Sequence, residues 1–315
     1  MSAQTRCVVI AHRGASGYLP EHTTEAKSLA YGMGADYLEQ DVVATRDAQL
    51  MVMHDTFLDD VTNVAAVFPG RAHPDGRHYA IDFDLAEIRQ LSVVERRRSG
   101  TKTALFPGRF SGVSSQFRLA TLREEIELIA DLNRTTGRNV GIYPEIKEPR
   151  WHRERGIDLA ALVLQELDSH GYRGSEAICY VQCFDAKELT RIRTELQTTL
   201  PLIQLLPEGS GPWQGIDASD AARLARYAVG VGVPYERLVL PRGGSGCNAL
   251  RAAPLLDVLR SAGLKIHAYT LRRDKLPPWA PSLEELLRLL LGELGVDGVF
   301  CDHPDVAVHI RDSLD

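Results

Sequence analysis

The sequence lacks an apolar run long enough to cross a membrane, which takes roughly 18 consecutive apolar residues. The stretch LLRLLLGELGVDGVF is interrupted by Arg288 and Glu293. The N-terminal segment MSAQTRC also lacks the apolar core of a signal peptide. We therefore expect no stable membrane insertion, and a protein that is either cytoplasmic or exported with its signal already removed.

Positive charge is not in excess either. The 36 lysines and arginines are outnumbered by 42 aspartates and glutamates, which gives a net charge of −6. Nucleic-acid binding normally requires a basic surface, so we expect no nucleic-acid partner. An anionic substrate would have to be bound by a local cluster of cations.

Cysteine is scarce, with five residues, an odd number. Most of them lie in apolar, strand-like segments, which is typical of buried free thiols. Cys179 and Cys183 are four residues apart in a strand, roughly 13 Å at the strand rise, so they are too far apart to form a disulfide. We predict free thiols rather than a disulfide framework or a thiolate metal site.

What the sequence does contain is a regular alternation of strand-like and helix-like segments. With 315 residues, of which 44% are hydrophobic and 25% charged, the chain has ample material for a large core. Short apolar strands begin near positions 8, 37, 140, 178, 201, 229, 265 and 298, and helical periodicity separates nearly all of them. Eight alternating β and α units predict an α/β fold, the (β/α)8 TIM barrel. An open, doubly wound sheet is the alternative.

The regular pattern stops between positions 56 and 117, after the second strand and a short hairpin. Pro-Gly and Asp-Gly pairs and a Ser/Gly stretch at 111–115 divide this part into short pieces. We predict an insertion subdomain at 56–117 with little regular structure except a helix near Leu85 to Leu91. The barrel domain then comprises residues 1–55 and 118–315. The insertion would cap the pocket or form the surface of a homodimer.

Acidic residues collect in the predicted barrel strands, whose carboxyl ends carry the active sites of such barrels. Glu39 and Asp41 point to the same face of the second strand, about 6.5 Å apart along it. Glu145 lies in the next barrel strand. Three carboxylates form a hard oxygen site that suits one divalent cation, Ca²⁺ or Mg²⁺. The structural alternative is a buried carboxylate network paired with Arg13 and Lys147.

Two histidines, His12 and His54, end strand-like segments in the same cluster. Imidazole titrates near neutrality, so the two residues are predicted to act as a general acid and a general base. Arg13 and Lys147 have no acidic partners beyond the proposed metal ligands, which favours a phosphate clamp, with charge balance as the alternative. The other histidines are interpreted as structural: His22, His73, His78, His152, His170, His267, His303 and His309.

Seven segments then carry a family resemblance: AHRGASGYLPEHT, EQDV, MHD, YPEIK, VQCFD, YTLRRDKLP and DGVFCDHPD. They extend over essentially the whole chain and are specific in combination. The sequence resembles the glycerophosphodiester phosphodiesterase family, in particular its bacterial periplasmic type with a long insertion. The resemblance implies a periplasmic location, with the cytoplasm as the alternative.

The resemblance also implies site roles. The three carboxylates would hold the divalent cation, the two histidines would form the acid/base pair, and the two cationic residues would contact the phosphate. We further predict Gln182, Phe184 and Tyr269 as substrate-binding residues, with Glu21 as a secondary candidate. The chain departs from many relatives at His22, where they have Asn, and at Tyr269, where they have Trp.

The predicted activity is metal-dependent hydrolysis of glycerophosphodiesters, such as glycerophosphocholine and glycerophosphoethanolamine, to sn-glycerol 3-phosphate and an alcohol. The family suggests first attack by the substrate's glycerol hydroxyl through a cyclic phosphate, but direct attack by water stays open. A phospholipase-type enzyme acting on intact lipid is one alternative. It predicts exposed apolar loops near the mouth, which Phe57, Val61, Val64, Val67 and Phe68 support weakly. A non-catalytic binding protein on the same fold is the other.

Overall fold

The computed structural model describes residues 6–110, 116–209, 213–241, 247 and 250–314. Its strands are short, mostly buried apolar segments, as expected where both faces of a sheet are covered. They are β1 (Val8–Ala11), β2 (Tyr37–Ala44), β3 (Leu50–Val52), β4 (Gly141–Ile146), β5 (Val181–Cys183), β6 (Leu202–Leu205), β7 (Gly230–Pro234), β8 (Val239–Pro241), β9 (Leu250–Ala252), β10 (Lys265–Leu271) and β11 (Gly298–Cys301).

Eight of these strands run parallel and close into a barrel in the order β1, β2, β4, β5, β6, β7, β10, β11. Closure is complete because β1 pairs with β11 on one side and with β2 on the other, where Ile10 lies opposite Tyr37. The barrel prediction is therefore confirmed, and the open sheet is excluded. Strand β3 pairs antiparallel with β2 as the predicted hairpin.

Helices follow most of the barrel strands. They are α1 (Thr24–Gly32), α2 (Val64–Val67), α3 (Leu85–Ile88), α4 (Leu122–Thr136), α5 (Pro149–Arg153), α6 (Leu159–Ser169), α7 (Ala186–Thr194), α8 (Ala218–Leu224), α9 (Pro254–Ser261), α10 (Leu283–Leu287) and α11 (Pro304–Asp312). Helix α10 continues as a π-helix over Arg288–Glu293. Among the described residues, no helix combines the length and the apolar character that a bilayer crossing requires.

One predicted helix begins later than its sequence pattern indicated. The sequence ALRAAPLLDVLRSAG predicts a single helix over 249–263, but Leu250–Ala252 form strand β9, which pairs antiparallel with β8. The helix begins at Pro254, its first residue. Proline is tolerated at that position because the amide hydrogen it lacks would have no partner there, whereas within a helix it removes a hydrogen bond.

Helix α4 shows how local sequence sets an element's ends. Thr121 caps it: the Thr121 side chain accepts from the Glu124 amide at 3.2 Å, and Glu124 accepts from the Thr121 amide at 2.8 Å. Gly137 ends the helix in the left-handed conformation, with φ 70°. Both boundaries agree with the sequence prediction, because a capping box and a terminal glycine are signals carried by adjacent residues.

We expect Thr121→Ala to lower the free energy of unfolding by about 1 kcal/mol, since the capping hydroxyl is lost. Denaturant unfolding followed by circular dichroism measures the change. Thr135, exposed near the other end of the same helix, supplies the matched control, and Thr135→Ala should stay within about 0.5 kcal/mol of wild type. Equal losses in the two variants would contradict a capping role for Thr121.

The segment 56–117 packs on the β2–β3 hairpin through its own apolar cluster, although its residues 111–115 lie outside the described part. Side chains such as Phe83 and Leu91 meet Val43 and Met51 of the hairpin there. Among the described residues of this segment, regular structure is limited to α2, a 3₁₀ turn at Ala80–Asp82 and α3, which is shorter than predicted. The five apolar residues that gave weak support to exposed loops near the mouth are not themselves exposed. Val61 and Val64 are buried, and the other three side chains are partly buried: Phe57, Val67 and Phe68.

A layer of apolar and aromatic side chains fills the barrel interior: Ile10, Tyr143, Tyr180, Ile203 and Phe300. Tyr143 lies on β4 two residues before Glu145, and its hydroxyl lies 2.7 Å from Nδ1 of His267. The interior is therefore packed on the amino-terminal side of Glu145. Cys179, Cys183, Cys247 and Cys301 are buried free thiols, as predicted.

Candidate active site

A cavity of about 350 Å³ opens at the carboxyl ends of the barrel strands, where barrel active sites lie. All ten residues predicted from the sequence line it: His12, Arg13, Glu39, Asp41, His54, Glu145, Lys147, Gln182, Phe184 and Tyr269. They come from β2, β4, β5 and β10 and from the residues that follow β1, β3, β4 and β5. The barrel thus brings together side chains that are far apart in the chain.

Three buried carboxylates form the floor of this cavity. Glu39 and Asp41 share one face of β2, and Asp41 lies opposite Glu145 in the β2–β4 register. One oxygen from each of the three lies within 4.8 Å of the others. Burial, reinforced for Glu39 by the charge of Asp41, raises the pKa of both glutamates. A positive ion among the three oxygens would remove this electrostatic penalty.

An unsatisfied atom supports the fit of a cation. Oδ1 of Asp41 is buried and makes no hydrogen bond within the described part of the chain. Nζ of Lys147 is 3.7 Å from this oxygen, beyond hydrogen-bond distance. Although burial opposes ionisation, Lys147 and a hydrogen bond from His22 hold the pKa of Asp41 well below its usual range. An all-oxygen set with an unpartnered anionic oxygen suits a hard divalent cation.

His12 follows β1 and is oriented by an aspartate from the other end of the chain. Its Nδ1 lies 2.6 Å from Oδ1 of Asp302, which follows β11. Burial, together with Arg13, lowers the pKa of His12 to about 4, so the imidazole is neutral near pH 7. The ionised aspartate fixes the proton on Nδ1. The unprotonated Nε2 lies 3.9 Å from Oε2 of Glu39.

His54 shows the same arrangement at the end of the β3 hairpin. Its Nδ1 lies 2.8 Å from Oδ1 of Asp55, and a third of its side chain is exposed. Burial and the nearby Arg13 lower the pKa of His54 to about 4. The neutral ring again carries its proton on Nδ1 and leaves Nε2 as an acceptor. Both histidines therefore have a basic nitrogen available for proton transfer.

Arg13 and Lys147 lie beside the carboxylates. Lys147 donates to Oε1 of Glu145 at 2.8 Å. Burial lowers the pKa of Lys147, but the negative charge of Glu145 outweighs this effect and keeps the pKa above its ordinary value. Arg13 donates from Nη1 to both oxygens of Glu21 at 3.1 Å. The prediction that Arg13 has no acidic partner beyond the metal ligands is therefore wrong. Arg13 and Glu21 both lie in the loop after β1. A contact within a loop follows no helix or strand periodicity, so the sequence pattern did not predict it.

His22 has a role at the site that the sequence interpretation missed. It is buried, and its Nε2 lies 2.7 Å from Oδ2 of Asp41. Lys27 lies 3.3 Å from Nδ1, and its ammonium group can only donate, so Nε2 carries the proton and donates to Asp41. Burial lowers the pKa of His22 to about 3. The sequence held one signal for this role: many relatives have Asn at the position of His22, and the Asn side chain also carries an N–H donor.

The remaining predicted residues form the opposite wall. Gln182 donates to Oε1 of Glu39 at 2.9 Å, so it orients a carboxylate as well as lining the cavity. Phe184, 43% exposed, packs edge-on against Tyr269 with ring centroids 6.4 Å apart. The Tyr269 hydroxyl donates to the carbonyl of Leu206. This part of the cavity is aromatic and apolar, in contrast to the charged floor.

The model of the glycerophosphoryl diester phosphodiesterase family matches residues 12–306, which include every residue of this cavity. The chain belongs to this family. The resemblance predicted from the motifs is therefore confirmed, and with it the assignment to an enzyme family of phosphoric diester hydrolases.

Family members with curated names align over nearly the full length. A glycerophosphodiester phosphodiesterase from Haemophilus influenzae is 40% identical, covering 96% of this chain and 88% of the relative. A glycerophosphodiester phosphodiesterase from Treponema pallidum is 36% identical, and the alignment covers 96% of this chain and 90% of that relative. The solved structure of a phosphodiesterase from Oleispira antarctica, in complex with the product sn-glycerol-3-phosphate, is 22% identical. It covers 98% of this chain and 97% of its own, with a TM-score of 0.66.

A second solved structure, of a putative family member from Silicibacter pomeroyi, has a TM-score of 0.74 at 22% identity. It covers 99% of this chain and 95% of its own. At this level of identity the likeness shows the fold alone. The structural likeness thus covers nearly the full length of the chain.

Proposed function

We propose that this protein hydrolyses glycerophosphodiesters, such as glycerophosphocholine and glycerophosphoethanolamine, to sn-glycerol 3-phosphate and an alcohol, with the help of one divalent cation. The observation that carries this proposal is the unpartnered, buried Oδ1 of Asp41 among three carboxylates, beside two histidine–aspartate pairs. The names of the relatives support the substrate class, as does the product complex of the Oleispira antarctica protein.

Glu39, Asp41 and Glu145 would hold the cation, which we infer to be Ca²⁺ or Mg²⁺ from the all-oxygen ligand set. When bound, the cation supplies positive charge that neutralises the phosphoryl oxygens as negative charge develops on them. Arg13 and Lys147 line the same cavity and would bind the remaining phosphate oxygens. The glycerophosphodiester would thus lie with its phosphate above the carboxylate floor.

The two histidines would share the proton transfers. The neutral Nε2 of one would accept the proton of the attacking hydroxyl, and the other would take up a proton from solvent and donate it to the oxygen of the leaving alcohol. Each Nδ1–H is held by an aspartate, which stabilises the imidazolium as it forms. The same arrangement serves an attack by the substrate's own glycerol hydroxyl or by water.

A water-soluble diester fits this protein better than intact lipid. A phospholipase needs an exposed apolar surface near the mouth, but within the described part of the insertion Phe110 is the one large apolar side chain that is exposed, and Phe57, Val61, Val64, Val67 and Phe68 are buried or partly buried. The cavity of about 350 Å³ lies in the range of small-ligand sites. Phe184 and Tyr269 offer apolar contact to the alcohol of the diester.

The direct test compares, with purified protein, the release of sn-glycerol 3-phosphate from soluble diesters with the release of the headgroup, free or phosphorylated, from lipid vesicles. We expect turnover of the soluble diesters that a chelator abolishes and that added Ca²⁺ or Mg²⁺ restores, because the carboxylate floor depends on a cation. Faster turnover of vesicle lipid would instead support the phospholipase alternative. Binding of the diester without release of product would support a non-catalytic protein.

A further inference from the structure

The insertion, 56–117, sends two arginines into the catalytic end of the barrel. The side chains of Arg96 and Arg109 are only 11% and 6% exposed. Each contacts an aspartate that pairs with one of the two histidines. Sequence reasoning gave neither arginine a role, since the insertion lacks the periodicity that places side chains on a face.

Arg96 holds the partner of His54. Its Nη1 donates to Oδ2 of Asp55 at 2.7 Å, while Oδ1 of Asp55 lies 2.8 Å from Nδ1 of His54. Its Nε and Nη2 donate to the two oxygens of Glu21 at 2.7 and 2.6 Å. Glu21 in turn accepts from Arg13. One guanidinium group therefore fixes both the histidine's aspartate and the acidic partner of the proposed phosphate-binding arginine.

Arg109 holds the partner of His12 in the same way. Its Nη2 donates to Oδ2 of Asp302 at 2.7 Å, while Oδ1 of Asp302 lies 2.6 Å from Nδ1 of His12. The guanidinium is itself fixed by two bonds to Asp274, at 2.7 and 2.8 Å. Arg272 also donates to Oδ2 of Asp302, at 3.0 Å, so two arginines bind this carboxylate oxygen.

The two chains of contacts have the same order: arginine, aspartate, histidine. In each, one carboxylate oxygen accepts from the histidine and the other from the arginine. A carboxylate bound at both oxygens cannot rotate freely, and the imidazole it holds keeps its Nε2 in one direction. Orientation of this kind matters because proton transfer requires near-ideal geometry at the reacting atoms.

We propose that Arg96 and Arg109 are positioning residues, through which the insertion orients the two histidines for catalysis. The inference rests on the proposed function, because it assigns the insertion a part in that reaction. It predicts that the insertion is required for turnover as well as for coverage of the hairpin. It also predicts different kinetic effects for the two arginines, since only Arg96 is linked to Arg13 through Glu21.

The kinetic test compares three variants. We expect Arg109→Met to lower kcat about 10-fold with KM nearly unchanged, because Arg272 still holds Asp302. Arg96→Met should lower kcat about 10-fold to 100-fold and also raise KM, because Arg13 loses its ordered partner. Arg71 of the insertion pairs with Glu87 and does not line the cavity, so Arg71→Met is the matched control with kcat near wild type.

Arg96→Lys and Arg109→Lys keep the buried positive charge and should recover part of the lost kcat, whereas a merely structural role predicts recovery of stability alone. These variants also serve if a methionine variant does not fold. Folding is checked by circular dichroism. Equal kinetic constants in wild type and in the folded arginine variants would overturn the proposal.

A second readout does not depend on turnover. In protein labelled with ¹⁵N-histidine, the Nδ1 proton signals report the two histidine–aspartate bonds. We expect Arg96→Met to perturb the His54 signal and Arg109→Met the His12 signal, with Arg71→Met changing neither. If wild-type protein releases no sn-glycerol 3-phosphate, the proposed function fails while this measurement still decides the inference. Unperturbed signals in both arginine variants would refute the positioning role.

Discussion

The substitution His12→Gln is expected to lower kcat by about 10³-fold while leaving the affinity for the divalent cation nearly unchanged. Glutamine can keep a hydrogen bond to Asp302, but it has no nitrogen that can take up and release a proton near neutral pH. The cation would be bound by carboxylates rather than by this ring, so binding and catalysis separate. Release of sn-glycerol 3-phosphate and calorimetric titration with the cation measure the two quantities.

The substitution His54→Gln tests whether the two histidines act together. His54→Gln should lower kcat by a comparable factor, and the double variant should lose little more, because the two rings act as one unit in the proton transfers. His73, exposed on the insertion, is the control, and His73→Gln should have wild-type kinetics. Independent losses that multiply in the double variant would contradict a shared acid/base role.

The barrel and the residues of its mouth could be predicted because their signals are local. Each strand is a short apolar run, and the alternation in β2 places Glu39 and Asp41 on one face. The rule that active sites lie at carboxyl strand ends then gathers residues from distant parts of the chain, such as Glu145 and Gln182. Periodicity, topology and the family resemblance together predicted ten of the sixteen residues that line the cavity.

The partners of those residues could not be predicted in the same way. Asp302 lies 290 residues after His12, and only the closed barrel brings the two together. Arg96 and Arg109 come from a segment whose structure depends on packing against the hairpin rather than on its own periodicity. Ion pairs of this kind depend on the positions of whole loops, for which adjacent residues carry no signal.

The errors in the sequence interpretation have a common physical origin. Val61 and Val64 gave weak support to exposed apolar loops near the mouth, yet both side chains are buried. His22 was interpreted as structural, yet its N–H donates to Asp41. In both cases the role of the side chain depends on its tertiary contacts, which the residue type alone does not determine.

Glu145→Gln should abolish turnover at moderate cation concentration, with a loss of about 10³-fold or more. Glutamine has nearly the same shape, but one of the three negative charges around the cation is removed and Lys147 loses its carboxylate partner. We therefore expect weaker cation binding and partial recovery of activity at high cation concentration. Both are measured by titrating chelator-treated protein with Ca²⁺ or Mg²⁺.

Recovery by excess cation separates this variant from His12→Gln, which no cation concentration should restore. Glu148, exposed three residues further along the chain, provides the control, and Glu148→Gln should bind the cation as wild type does. Full activity of Glu145→Gln after chelator treatment would exclude Glu145 as a ligand. Lost activity with unchanged cation affinity would instead place Glu145 on the side of Lys147 and the phosphate, so the two titrations together determine which role this carboxylate has.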